Sequence, residues 1–176
     1  MIIQFCGLSG SGKTTLARAI KELLAEKNVP VEIIDGDEYR KELCADLGFS
    51  REDRNTNIRR LAFVASKLSK FNIVAIICAI NPYESIREEV RNKYENVKTV
   101  FIDCSMNELI KRDTKGLYKK ALLPATDPEK VHNLTGVNDP FDLPLNPDLV
   151  IHSDMERADE SAQKLVDFIL SNYQRS

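Results

Sequence analysis

The chain has 176 residues, 43% of them hydrophobic and 30% charged, which suits one domain with a sizeable core and is short for two. Its net charge of −2 argues against a protein that holds nucleic acid or an anionic membrane, because such faces usually make a whole domain basic. No apolar run reaches the length of a membrane span, and the N-terminus lacks the charged and then apolar pattern of a leader, so a cytoplasmic protein is expected.

Residues 2–6 (IIQFC) form an apolar run that reads as a buried strand, and GLSGSGKT follows directly at 7–14. This is the complete G-x-x-x-x-G-K-[ST] pattern, whose glycines let successive backbone N–H groups turn inward around phosphate oxygens. A helix opens at Lys13 and points its positive end at the bound anion. Lys13 is expected to reach the β- and γ-phosphates, and Thr14 to offer its hydroxyl to Mg²⁺. Gly7, Ser9, Gly10, Ser11, Gly12 and Thr15 complete the expected triphosphate contacts.

The next strand, 31–34, runs into Asp35-Gly36-Asp37. Carboxyl ends of parallel strands surround the ligand crevice, so one carboxylate can hold Mg²⁺ and the other can accept a proton from an attacking hydroxyl. Asp37 read alone could equally cap the helix expected over 37–46. Residues 46–60 (DLGFSREDRNTNIRR) place four arginines around the start of a helix expected over 51–71. Arg54 and Asn57, three apart, share a face that can meet a phosphate or sulfate, with Phe49 placed to stack on a base. The competing reading is a solvated face paired with Glu52 and Asp53. On the inner face of the same helix, Ile58, Leu61, Ala62, Ala65 and Leu68 recur with helical period.

Further strands are expected at 72–80, 97–103 and 148–152, and helices at 84–94, 106–112 and 155–173. Short Val/Ile-rich runs alternating with amphipathic helices predict an α/β fold: a parallel five-stranded sheet with helices on both faces. Residues 113–147 show no sustained period and begin with a basic cluster of Lys111, Arg112, Lys115, Lys119 and Lys120. So long an irregular stretch predicts a functional lid that brings positive charge over nucleotides and excludes water. Cys6, Cys44, Cys78 and Cys104 lack metal or redox spacing and read as buried, reduced residues.

GLSGSGKTTLA, DGDxxR at 35–40, DLGFSxxDRxxNIRR, Ile80-Asn81-Pro82-Tyr83, KGLYKKA at 115–121 and LTGVNDPFDLPLNPDL at 134–149 together resemble an adenylylsulfate kinase. The resemblance implies a P-loop kinase fold with a lid over about 113–147. It also implies transfer of the γ-phosphoryl of ATP to the 3′-hydroxyl of adenosine 5′-phosphosulfate. It implies ATP contacts by Lys13, Thr14 and Arg112, Asp35 near the metal and Asp37 as base. Acceptor binding falls to Arg40, Phe49, Arg54, Asn57, Ile80, Asn81, Lys115 and Leu134. Members are commonly dimers, a point on which composition is silent.

Two departures stand out. Asn81 replaces the Ser usual before Pro-Tyr, and Leu134 replaces a Phe before Thr-Gly that clamps the adenine opposite the first aromatic. The 122–133 segment is also longer than usual. These changes surround the acceptor, so a related kinase acting on another nucleotide, such as cytidine diphosphoramidate, is the second expectation. A non-catalytic nucleotide-binding module is the third. Asn92-Lys93-Tyr94-Glu95 lacks the Asp of a guanine reader, and Lys13 and both Asp residues are retained.

Overall fold

IIQFC and VAIIC are apolar on both faces, as strands covered from both sides must be, and they become the two strands buried along their full length. The computed structural model describes residues 1–173; residues 174–176, the end of the expected domain, lie outside the described residues. Strands β1 (Ile2–Cys6), β2 (Val31–Asp35), β3 (Val74–Cys78), β4 (Val97–Asp103) and β5 (Leu149–His152) form a parallel sheet in the order β2-β3-β1-β4-β5. From β1 the chain goes to the edge strand β2, returns to β3 between β2 and β1, and then crosses to β4 and β5 on the other side. The reversal leaves a crevice at the carboxyl end of β1, where open α/β sheets bind ligands.

Helices α1 (Lys13–Ala25) and α7 (Ala158–Asn172) cover one face, against Ile3, Phe5, Ile76 and Val100. Helices α3 (Arg51–Ser69) and α4 (Glu84–Lys93) cover the other, against Ile2, Ile34, Ala75 and Ile77. The alternation along β1 is the pleat of a strand. Ile58, Leu61, Ala62 and Ala65 are buried as their period predicts, with Leu68 packed at the edge. Helices α2 (Gly36–Glu42) and α5 (Met106–Arg112) lie beyond the carboxyl ends of β2 and β4.

The 113–147 segment, expected as an irregular lid, is not wholly irregular. It holds one short helix, α6 (Leu117–Ala121), started by the Asp113 carboxylate, which accepts from the backbone N–H of Tyr118 and Lys119 at 3.0 and 2.9 Å. Tyr118, Ala121 and Leu134 form a small core with Leu109 and Cys104. All four cysteines are buried and free, as read from their spacing. No helix among the described residues is long and apolar enough to cross a membrane.

Candidate active site

Gly7 leaves β1 with φ +153°, and a Cβ there would fall 2.4 Å from the Ile102 carbonyl oxygen; only glycine lets the loop pass so close to β4. Its N–H donates to Ile80 O at 3.1 Å. Inside the loop the buried Lys13 ammonium donates to the carbonyls of Gly7 and Leu8 at 2.9 and 2.7 Å, and lies 3.3 Å from Ser11 Oγ. Ser9 and Ser11 are buried, while Thr15 faces outward from the first turn of α1.

Burial is the main cause that lowers the Lys13 pKa to about 8. A bound triphosphate favours the charged form and raises that pKa again. Near pH 9 (about one unit above the free value) nucleotide binding is therefore expected to take up a proton. Titration calorimetry in buffers of different ionisation enthalpy reads the uptake, and Lys13→Ala should abolish it; equal heats in all buffers would refute the linkage.

Asp35 closes β2 and does two jobs. One carboxylate oxygen accepts from Thr14 Oγ1 at 2.9 Å and the other from the Asp37 N–H at 2.9 Å. Asp35, rather than Asp37, is thus the cap of α2. That corrects the capping alternative and leaves the Asp37 carboxylate exposed, paired with Lys115 of the lid.

Around the first turn of α3 three of the expected acceptor residues, Arg40, Phe49 and Arg54, converge. The Phe49 ring is 53% exposed, with the Arg40 guanidinium 4.4 Å and that of Arg54 5.6 Å from its centroid. Arg40 also donates to the carbonyls of Leu47 and Gly48. Arg54 is buried: Nε donates to Phe49 O at 3.1 Å, Nη2 donates to Asn133 O at 2.7 Å, and Asp139 stands 3.2 Å away. Asn57 is buried nearby on the same helix, and its Oδ1 has no hydrogen-bond partner within the protein. A buried acceptor without a donor is costly, so this atom suits a ligand donor. The solvated-face reading holds for other members of the segment. Glu52 pairs with Arg59 at 2.7 Å, Asp46 with Arg60 at 2.5 Å, and Asp53 completes a capping box with Ser50.

The sequence profile of the adenylylsulphate kinase family matches residues 1–152. The chain belongs to this family. An adenylyl-sulfate kinase of Chloroflexus aurantiacus is 44% identical over 166 residues, covering 94% of this chain and 87% of that one. The structure of the Mycobacterium tuberculosis APS kinase in complex with AMPPNP and APS superposes with a TM-score of 0.86 at 36% identity, covering 96% of each chain. A hexameric APS kinase from Thiobacillus denitrificans matches at 30% identity and TM-score 0.70, over 99% of this chain and 29% of that one.

Two expected acceptor residues of this adenylylsulfate kinase family chain also have partners within the protein. Asn81, 1% exposed and at φ +49°, donates from its amide to Gln4 Oε1 at 3.1 Å. Its amide group thus meets Gln4 of β1, while its own Oδ1, like that of Asn57, has no hydrogen-bond partner within the protein. Leu134, 5% exposed, packs into a small core with Tyr118 and Leu109. The carbonyl of Ile80 is taken by the loop through Gly7. Arg112 is held by Glu108 at 3.1 Å and by the Ser153 carbonyl at 2.9 Å, tying α5 to the segment after β5. Two residues escaped the sequence reading. Tyr118 donates to Ser9 O, and Arg87 anchors the end of the lid; an Arg in the run REEVR reads as solvated, and nothing in its spacing marks it as buried.

Proposed function

We propose that the chain transfers the γ-phosphoryl of ATP to the 3′-hydroxyl of adenosine 5′-phosphosulfate, giving 3′-phosphoadenosine 5′-phosphosulfate. The observation that carries this reading is the meeting, at one end of the sheet, of two sets of groups. The phosphate loop with its Thr14–Asp35 pair adjoins Asp37 and Lys115, and the Arg40–Phe49–Arg54 cluster is tied to the same lid. Lys13, freed from the loop carbonyls by phosphate, neutralises charge on the transferred group. The Asp37 carboxylate takes the proton of the 3′-hydroxyl as its oxygen bonds to phosphorus and ADP leaves. Phe49 stacks on the acceptor base, while Arg40, Arg54, Asn57 and Lys115 orient its anionic end.

Thr14 and Asp35 fit Mg²⁺, since both offer hard oxygen donors and the ion asks the protein for only one or two ligands beside phosphates and water. When bound, Mg²⁺ offsets charge on the phosphate oxygens. We read residues 1–176 as one kinase domain working as a homodimer in the cytoplasm, with no nucleic-acid or membrane partner.

One observation favours a second reading. With Leu134 in the lid core, Phe49 is flanked by arginines and lacks a second ring, which also suits a smaller base such as that of cytidine diphosphoramidate. Steady-state rates with ATP, Mg²⁺ and a panel of 3′-hydroxyl acceptors separate the two. Adenosine 5′-phosphosulfate is expected to lead in kcat/KM by at least about 10²-fold. A preference for the cytidine compound would transfer the assignment, and no turnover with any acceptor would leave a non-catalytic nucleotide module.

A further inference from the structure

Two parts of the lid touch the phosphate loop. Tyr118 on α6 is 1% exposed, and its hydroxyl donates to Ser9 O at 2.8 Å. Burial pushes its phenol up to about 12, so the hydroxyl keeps its proton and acts as a donor. On the return of the lid, Gly136 has φ +86°, and a Cβ there would fall 2.7 Å from Leu8 Cδ2. Lid backbone therefore lies directly against the loop's one large apolar side chain.

The same two parts reach the acceptor residues. Lys115, just before α6, pairs with Asp37; Asn133 and Asp139, on either side of Gly136, hold Arg54. Between them Leu109, Tyr118, Ala121 and Leu134 pack as one small core, separate from the two cores of the sheet. Close-packed groups of this kind move together. The Ser9 carbonyl shares a planar peptide with the Gly10 N–H, so a hydrogen bond that fixes the carbonyl also fixes where that N–H points.

We infer that Tyr118 is a positioning residue that couples the two halves of the site. Through the Ser9–Gly10 peptide it holds lid and phosphate loop in one register, so that a bound nucleotide sets Lys115, Asn133 and Asp139 for the acceptor. The acceptor arm rests on the kinase reading above, and the nucleotide arm does not.

Hydrogen exchange over residues 113–139 is measured with and without a non-hydrolysable ATP analogue and Mg²⁺, in the full chain, Tyr118→Phe and Leu8→Ala. The analogue should slow exchange in the unaltered protein and fail to do so in both variants. Acceptor KM should rise about five- to tenfold in Tyr118→Phe, with kcat and the affinity for the analogue alone within about twofold. Retained slowing in Tyr118→Phe overturns the inference, as does an unaltered protein whose lid ignores the analogue. Parallel weakening of both substrates together with a lower Tm would mark Tyr118 as merely structural and also overturn it. Loss of slowing in the variants, with no acceptor turned over by any form, would uphold the coupling and sink the acceptor assignment instead.

Discussion

Asp37→Asn should lower kcat by about 10²- to 10⁴-fold, the range general-base catalysis contributes, while leaving the affinity for an ATP analogue near its original value. The carboxylate is exposed at the start of α2 and does not cap the helix, because Asp35 holds that place. The change to an amide therefore costs little stability, and thermal unfolding should stay within about 0.5 kcal/mol. What is lost, on the proposed mechanism, is the acceptor for the hydroxyl proton, together with the charge that meets Lys115. These two losses can be told apart. Lys115→Met breaks the same pair but spares the base, so it should weaken acceptor binding through KM and reduce kcat far less than Asp37→Asn. Equal losses in kcat would make the carboxylate a tether for the lid and leave the proton to solvent. The loose transition state of phosphoryl transfer makes that outcome chemically reasonable, which gives the comparison its force.

The donor half of this site was legible because its chemistry is local. A loop that wraps phosphate needs its glycines, lysine and hydroxyl within eight residues, and the strand before and helix after are short-range patterns as well. The sheet was legible for a related reason, since strands covered on both faces are apolar at nearly every position, as VAIIC is throughout and IIQFC is but for the buried Gln4. The acceptor half depends on groups far apart in the chain. Arg54 meets Asn133 and Asp139 across the fold, so its residue type was readable and its partners were not. Asn81 and Leu134 illustrate the same limit. Their positions in motifs pointed to a ligand, and the contacts they make within the protein, to Gln4 and to the small core around Tyr118, were not readable from those motifs. Helix α6 escaped because five residues are too few to show a period; its signal was Asp113, whose carboxylate accepts from two N–H groups of the first turn.

Arg87→Met should destabilise the protein by about 3–5 kcal/mol, the usual cost of removing one partner from a buried ion pair. At about 2–4 °C per kcal/mol for a chain of this size, the fall in Tm is unmistakable. Arg87 is 1% exposed and uses all of its fork. Nε donates to Glu84 at 2.8 Å, Nη1 to Asn81 O at 2.6 Å, and Nη2 to Asp142 O at 2.6 Å. Methionine fills much of the volume but leaves two carbonyls and the Glu84 carboxylate without a charged donor. Lysine keeps the charge and loses the planar geometry, so Arg87→Lys should also destabilise, by less. Adding Glu84→Gln to Arg87→Met removes the stranded charge and should return at least about 1 kcal/mol relative to additivity.

The consequence for function follows from what Arg87 holds. Asp142 donates its N–H to Pro82 O at 2.8 Å and accepts from the Glu84 N–H at 3.1 Å, while Leu145 N–H donates to Glu84 at 3.2 Å. Arg87 thus pins the end of the lid to α4 three residues beyond Asp139, which faces Arg54. Loosening that anchor should raise acceptor KM more than ATP KM even at temperatures where the variant remains folded. If Arg87→Met instead unfolds within about 1 kcal/mol of the unaltered protein, the cluster contributes no more than a surface pair, and the lid must be held mainly by its small core around Tyr118.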